Sequence, residues 1–231
     1  MKKTFKNWSI SDICWLINAS LAIISLGTYC GDSITSIISA LTGVICVIFI
    51  SKKMISNYFF GVINVSLYSY LTLESRLYGD FMLNAFYYLP MQFIGFYMWT
   101  RSKNNSNGEI ESKSLSTMAK IKLALSSLAI IFISTILLQA IGGNVPFIDA
   151  TCTILSIVAM MLMVKQYREQ WYMWIIVNIV SIIMWAISIK QGSGDMATLL
   201  MRIIYLLNSI YGLINWRTDN KKNINNVAYI N

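Results

Sequence analysis

Apolar and polar residues are sorted along this chain into long blocks. Eight mostly apolar stretches, approximately Ile13–Tyr29, Ile34–Ile50, Tyr58–Leu73, Phe81–Trp99, Ile121–Ile141, Phe147–Val164, Trp171–Ile189 and Met196–Trp216, are separated by polar joints. A helix needs roughly 20 apolar residues to cross the hydrocarbon core, and a lipid-exposed segment must satisfy its backbone internally. The pattern therefore predicts an all-α, polytopic membrane protein of eight spans. The joints are short except Thr100–Lys120, which is rich in Ser, Asn and Lys. That segment and the tail after Arg217 are expected to be loosely ordered. The first stretch follows Lys2, Lys3 and Lys6 as a secretory signal would, but ends without a small-x-small site, so it reads as a retained span.

Composition supports the same reading. Of 231 residues, 56% are hydrophobic and only 12% charged, against about a quarter charged in soluble domains. A net charge of +8 would suit a nucleic-acid partner, but its distribution argues against one. Fifteen of the 18 Lys and Arg lie on one side of the eight-span arrangement: Lys2, Lys3, Lys6, Lys52, Lys53, Arg101, Lys103, Lys113, Lys120, Lys122, Lys165, Arg168, Arg217, Lys221 and Lys222. Arg76 and Lys190 lie on the other side, and Arg202 falls inside the last span. By the positive-inside rule, both termini face the cytoplasm and the chain sits in the inner membrane among lipid. Cys14, Cys30, Cys46 and Cys152 form no C-x-x-C pair, so no metal, cofactor or disulfide framework is indicated.

The chain resembles itself. Tyr58, Phe60 and Asn64 fall on Tyr172, Trp174 and Asn178; Gly79-Asp80 falls on Gly194-Asp195; Gly95-x-x-x-Trp99-x-Arg101 falls on Gly212-x-x-x-Trp216-Arg217. Each copy covers three spans. One span lies between them, so both copies enter the membrane in the same direction, as a parallel repeat with a site where the halves meet. The expected divisions are residues 1–32 (tail and extra span), 33–100 (first repeat), 101–145 (cytoplasmic loop and linking helix), 146–217 (second repeat) and 218–231 (cytoplasmic tail).

Polar and aromatic residues inside the spans mark the candidate site. Trp171, Trp174 and Asn178 share one helical face, and an amide in mid-span is costly unless it faces protein or a cavity. The fourth span adds Asn84, Tyr88 and Gln92, the third Phe60, Asn64 and Tyr68, and the eighth Tyr205, Asn208 and Tyr211. Together they suit a flat heterocycle: rings to stack on it, amides to bond its edge. Gly95 and Gly212 read as close packing points. No Asp, Glu or His lies at the centre of a span. Asp12, Asp149 and Asp195 lie near span ends, where capping explains them, and Arg202 is expected to snorkel outward or to pair with Asp195. There is no phosphate-binding P-loop, nucleophile elbow or H-E-x-x-H, so nothing suggests an enzyme.

Trp171-x-x-Trp174-x-x-x-Asn178 resembles the W-x-x-W-x-x-x-[ND] signature of the Pnu vitamin transporters. Gln92-x-x-Gly95-x-x-x-Trp99 and Asn208-x-x-Tyr211-Gly212-x-x-x-Trp216 resemble that family too, and the likeness runs from about Ser33 to Trp216. The resemblance implies the doubled three-span fold with a linking helix and an extra N-terminal span, a homotrimer, and facilitated diffusion. Its implied substrate is nicotinamide riboside, trapped afterwards by a cytoplasmic kinase that leads into NAD biosynthesis. It also implies that Trp171, Trp174 and Asn178 line the site opposite Gln92, Asn208 and Tyr211. The family includes carriers of thiamine, riboflavin and deoxynucleosides, which remain alternatives. A sugar uniporter of SWEET type has the same parallel repeat, but with seven spans and typically a helix proline in each repeat; here only Pro90 lies inside a span. A membrane scaffold would have no use for amides deep in three helices.

Overall fold

The computed structural model describes residues 8–74, 78–102, 112–140, 146–190, 192 and 195–228. Lys2, Lys3, Lys6, Arg76, Lys103 and Gly194, and the side chains of Asp149, Arg217, Lys221 and Lys222, lie outside what is described. The described residues are helical almost throughout: α1 Ile10–Cys30, α2 Ile34–Ser51, α3 Asn57–Glu74, α4 Tyr78–Leu83, a π turn Asn84–Tyr88, α5 Leu89–Arg101, α6 Thr117–Ala140, α7 Pro146–Val164, α8 Gln170–Lys190 and α9 Met196–Ala228. Six of these, α1, α2, α6, α7, α8 and the first part of α9, are long and apolar enough to cross a membrane. The third and fourth predicted spans appear as α3 and as the run α4, π turn, α5.

The run from Tyr78 to Arg101 departs from a uniform helix for a local reason. Pro90 has no N–H to give to the carbonyl four residues back, and its ring crowds that carbonyl. The chain inserts a residue instead, and the Leu89 amide bonds the Asn84 carbonyl five residues back. Such π insertions re-aim the side chains beside them.

The α2–α3 and α7–α8 turns share one geometry. Lys53 (φ 57°) and Gln166 (φ 66°) are both left-handed non-glycine residues. After each, an amide reaches back to close the preceding helix, Met54 to Phe49 O at 2.9 Å and Tyr167 to Leu162 O at 2.8 Å. This paired-bond ending uses up carbonyls that would otherwise be orphaned. The two turns lie 113 residues apart in sequence, at 53 and 166.

Helix ends are tied across the fold. Asp12 forms a capping box with Ser9 at the start of α1. Asp195 accepts the Thr198 amide at 2.7 Å, and Asp32 takes the Met196 and Ala197 amides at 3.2 and 2.6 Å. Capping therefore accounts for Asp12 and Asp195. Two expectations of loose order are corrected. Part of the long connection is pinned: Ser112 donates to Trp216 O at 3.2 Å, Lys113 pairs with Tyr167 in a bridge, and Glu169 accepts from Leu115 N at 3.2 Å. The buried Glu169 carboxylate supplies the anchor that composition did not reveal. The tail continues α9 to Ala228, because no Gly or Pro follows Gly212 to stop it.

α1 packs on α2 and α9, and one polar cluster fixes it there. Lys52 Nζ lies 2.6 Å from Asp12 Oδ2, Tyr211 donates to Asp12 Oδ1 at 2.9 Å, and Lys52 donates to the Tyr211 hydroxyl at 2.9 Å. The Lys52 side chain is 12% exposed. Burial works against its charge, but the bonds to Asp12 and Tyr211 outweigh that and hold its pKa above the ordinary lysine value. A folded pKa above the unfolded one contributes stability that is complete below the unfolded value, about 10.4, and is lost as pH rises through the folded one. We predict that the melting temperature of the detergent-purified protein is insensitive to this pair near neutrality and falls in strongly alkaline buffer. Lys52→Met should abolish that alkaline step and cost about 1–3 kcal/mol at neutral pH; an unchanged melting profile would contradict the assignment.

Candidate functional site

A cavity of about 430 Å³ lies among α2, α3, the π turn, α5, α7, α8 and α9. One end is floored by aromatic rings. Tyr58 meets Trp99 edge-on at 5.3 Å, Trp171 meets Trp216 edge-on at 5.8 Å, and Trp99 and Trp216 meet at 6.4 Å. Tyr58 and Trp171 each stand over a glycine. A Cβ at Gly212 would lie 2.6 Å from the Trp171 ring, and one at Gly95 would strike Tyr58. The two glycines are thus packing points, as their spacing predicted. Trp171 meets Gly212 and Trp216 as Tyr58 meets Gly95 and Trp99. This correspondence follows the 113-residue spacing of the turns, so Tyr58 answers to Trp171 and Gly61 to Trp174.

That register is one residue off the expected pairing of Tyr58, Phe60 and Asn64 with Tyr172, Trp174 and Asn178. Phe60 does not reach the cavity lining and packs edge-on against Phe49 at 5.4 Å. Seven of the ten residues expected at the site do line the cavity: Asn64, Tyr68, Tyr88, Gln92, Trp171, Trp174 and Asn178. Asn208 and Tyr211 do not. On α9 the cavity face carries Met201, Arg202, Tyr205 and Ser209; Asn208 is turned to α2, where it donates to Val47 O at 2.8 Å. Tyr211 is spent on the Asp12–Lys52 cluster.

The amides differ in what they leave open. The Ser209 hydroxyl donates its proton to Tyr205 O at 2.7 Å, so it must accept from Asn178 Nδ2, 3.1 Å away. This fixes the amide orientation and leaves Asn178 Oδ1 buried with no partner. Gln92 Oε1 is likewise a buried acceptor without a donor, and Trp171 Nε1 a buried donor without an acceptor. Asn64 is different: its Nδ2 gives to Ser39 O at 2.8 Å and its Oδ1 accepts from Tyr205 at 3.4 Å. Trp174 lines the wall beside Tyr88, ring centroids 6.2 Å apart.

Sequence reasoning missed the other end of the cavity. Trp185 Nε1 donates to the Tyr68 hydroxyl at 3.2 Å, which donates to Asp80 Oδ2 at 3.4 Å. Arg202 neither snorkels outward nor turns to Asp195. Its guanidinium lies 4.8 Å from the Tyr68 ring centre and 5.8 Å from that of Tyr205, at the cavity wall. The ring faces offset the cost of a charge at this depth. Spacing held the clue, since Arg202, Tyr205 and Ser209 stand at i, i+3 and i+7. Asp80, noted only as part of a repeated dipeptide, is an acid at the cavity despite its place near a helix start. Among the described residues no group of three or more His, Cys, Asp or Glu converges on a metal site.

A bundle of lipid-length helices around a solute-sized, ring-lined cavity with unpaired amides has the architecture of a small-molecule membrane carrier. Comparison with known proteins makes this specific. The chain matches the family described as nicotinamide mononucleotide transporter over residues 33–218, and it belongs to that family. It is 36% identical to the nicotinamide riboside transporter PnuC of Neisseria mucosa, over 93% of this chain and 84% of that one. It is equally similar to PnuC of Haemophilus influenzae, over 94% of each. It also resembles a solved structure described as the vitamin B3 transporter PnuC, with TM-score 0.85 and 36% identity, across 96% of both chains.

The glycine contacts yield a stability test. Gly212→Ala pushes against a buried, rigid Trp171 ring and should cost about 1–3 kcal/mol. Gly61→Ala meets chiefly the movable end of Gln92, with Cys46 Sγ next at 3.3 Å, and should cost clearly less. Thermal unfolding of the two purified variants separates them; equal losses would contradict the packing described.

Proposed function

We propose that this protein is an inner-membrane carrier of nicotinamide riboside, working by facilitated diffusion. The observation that carries the reading is the donor and acceptor set of the cavity. Gln92 Oε1 and Asn178 Oδ1 accept and Trp171 Nε1 donates, all three without protein partners. A primary carboxamide offers the complement: two N–H donors and one carbonyl acceptor. The rings of Trp174 and Tyr88 suit a flat pyridinium, whose positive charge an aromatic face holds at about 0.5–2 kcal/mol per good contact. Family membership supports the same substrate class, and the names of the relatives favour nicotinamide riboside over thiamine, riboflavin or a deoxynucleoside.

In this reading the eight helical runs are eight spans, arranged as one, three, one and three, with both termini cytoplasmic. The matched turns at Lys53 and Gln166 and the matched ring-on-glycine contacts support the parallel repeat, and the Lys and Arg asymmetry supports the orientation. The carrier works as a homotrimer. A cytoplasmic kinase phosphorylates the nucleoside after entry, which traps it and keeps the gradient inward. The protein itself does no chemistry on the substrate.

The test of the site is calorimetry on folded variants. Trp174→Ala removes stacking area and a cation-binding face, and should weaken nicotinamide riboside binding by about 1–3 kcal/mol, roughly tenfold to a hundredfold. Asn178→Leu should cost a similar amount by leaving the carboxamide unpaired. Phe60→Ala should leave affinity close to the parent's, because that ring faces Phe49. Parent-like binding by both Trp174→Ala and Asn178→Leu would place the substrate elsewhere.

Energetics give a second test. In liposomes holding only this protein, labelled nicotinamide riboside should reach equal concentration on both sides and stop there, with or without an imposed proton or sodium gradient. Accumulation beyond equality driven by either gradient would overturn facilitated diffusion and direct attention to Asp80, an acid at the cavity wall.

A further inference from the structure

We infer that Arg202 sets the orientation of the substrate, donating from its guanidinium to a sugar hydroxyl and keeping the charged ring at the far end of the cavity. The inference rests on the nucleoside reading above. Arg202 lines the cavity, yet its Nε is closed off from solvent and has no acceptor. The guanidinium is held by the faces of Tyr68 and Tyr205. Tyr68 is itself fixed by Trp185 and Asp80. A planar cation parked on rings is a preorganised donor, and its unmet N–H calls for an oxygen from whatever occupies the cavity.

The unpaired acceptors lie at the other end. Asn178 is bonded to Ser209, which stands two turns beyond Arg202 on α9, about 10 Å along the helix axis. The cavity therefore has two unlike ends, with an open guanidinium donor beside the Asp80 carboxylate at one and carbonyl acceptors with aromatic faces at the other. A ligand with a carboxamide-bearing ring and a hydroxylated sugar has one favourable direction between such ends. Reversed, it leaves both the Arg202 N–H and the carbonyl acceptors unpaired. Arg202 is on this account a specificity-determining residue, beyond a role in neutralising Asp80.

The experiment is calorimetry on the purified full chain and on Arg202→Met and Arg202→Lys, using nicotinamide riboside and its 2′-, 3′- and 5′-deoxy analogues. On the parent, at least one analogue should bind about tenfold to a hundredfold more weakly than nicotinamide riboside. On Arg202→Met that penalty should vanish, because the donor is gone, while affinity for nicotinamide riboside itself drops by a similar factor. Arg202→Lys retains the charge but not the planar fork, and should fall between. If Arg202→Met does not yield a folded protein, Arg202→Lys carries the same comparison. Equal analogue penalties on parent and variants, no penalty on the parent, or an unchanged affinity in Arg202→Met would each overturn the inference. If the parent fails to bind nicotinamide riboside at all, the proposed function fails, which is a distinguishable result.

Discussion

Two indole N–H groups hold the inner framework together. Trp99, at the end of α5, donates to Met163 O at the end of α7, 3.2 Å away; Trp216, on α9, donates to Ser51 O at the end of α2, 3.3 Å away. Both rings are fully buried. The last carbonyls of a helix have no partner within it, and in a membrane protein none is available from lipid. Trp216 therefore satisfies the Ser51 carbonyl, which receives a second bond from Asn215 Nδ2 at 3.0 Å, while Trp99 adds a second bond to Met163 O, which already accepts the Gln166 amide at 2.9 Å. A single such bond adds only about 1 kcal/mol, but leaving a buried carbonyl open costs about 1–3. The cross-bonds lock α2, α5, α7 and α9 at one end, and the cavity is the space left above that lock.

The two proposed repeats differ in what they offer to the cavity. At the spacing of the matched turns, Gly61 stands where Trp174 stands. The glycine lets Gln92 come close, while the tryptophan fills the opposite wall with a ring. At the same spacing Asn64 stands where Val177 stands and Val65 where Asn178 stands; Asn64 spends both ends of its amide on α2 and α9, while Asn178 keeps its oxygen open. One half has become mainly brace and the other mainly binding surface.

Much of this was legible in the sequence. Apolar block length gave the helices, because length and hydropathy alone decide what a bilayer accepts. The i, i+3, i+7 stripe on α8 gave Trp171, Trp174 and Asn178. What stayed hidden depended on rotation about a helix axis and on partners distant in sequence. Phe60 was misplaced by a one-residue slip between copies, which composition tolerates and geometry does not. Asn208 and Tyr211 carry the right chemistry but face α2 and the Asp12–Lys52 pair. Arg202 was read by the general rule for cations in spans, whereas two tyrosine faces hold it inside. The order of residues 112–116 follows from the buried Glu169 carboxylate, a contact across more than fifty residues.

The two ends of the cavity are closed by different physics. The inner end in the proposed orientation is a floor of interlocked rings over glycines, strengthened by indole-to-carbonyl bonds and by Ser112 against Trp216. Opening it means separating large apolar surfaces and exposing helix-end carbonyls together, so resistance comes from packing and from polar groups at once. The outer end is a chain of single polar contacts, Trp185 to Tyr68 to Asp80, with Arg202 beside it. Its longest bond is 3.4 Å, and a hydroxyl, a carboxylate and a guanidinium can each take water in exchange. Polar contacts that solvent can replace are the cheaper ones to break. On that ground the outer end is the cheaper of the two to open.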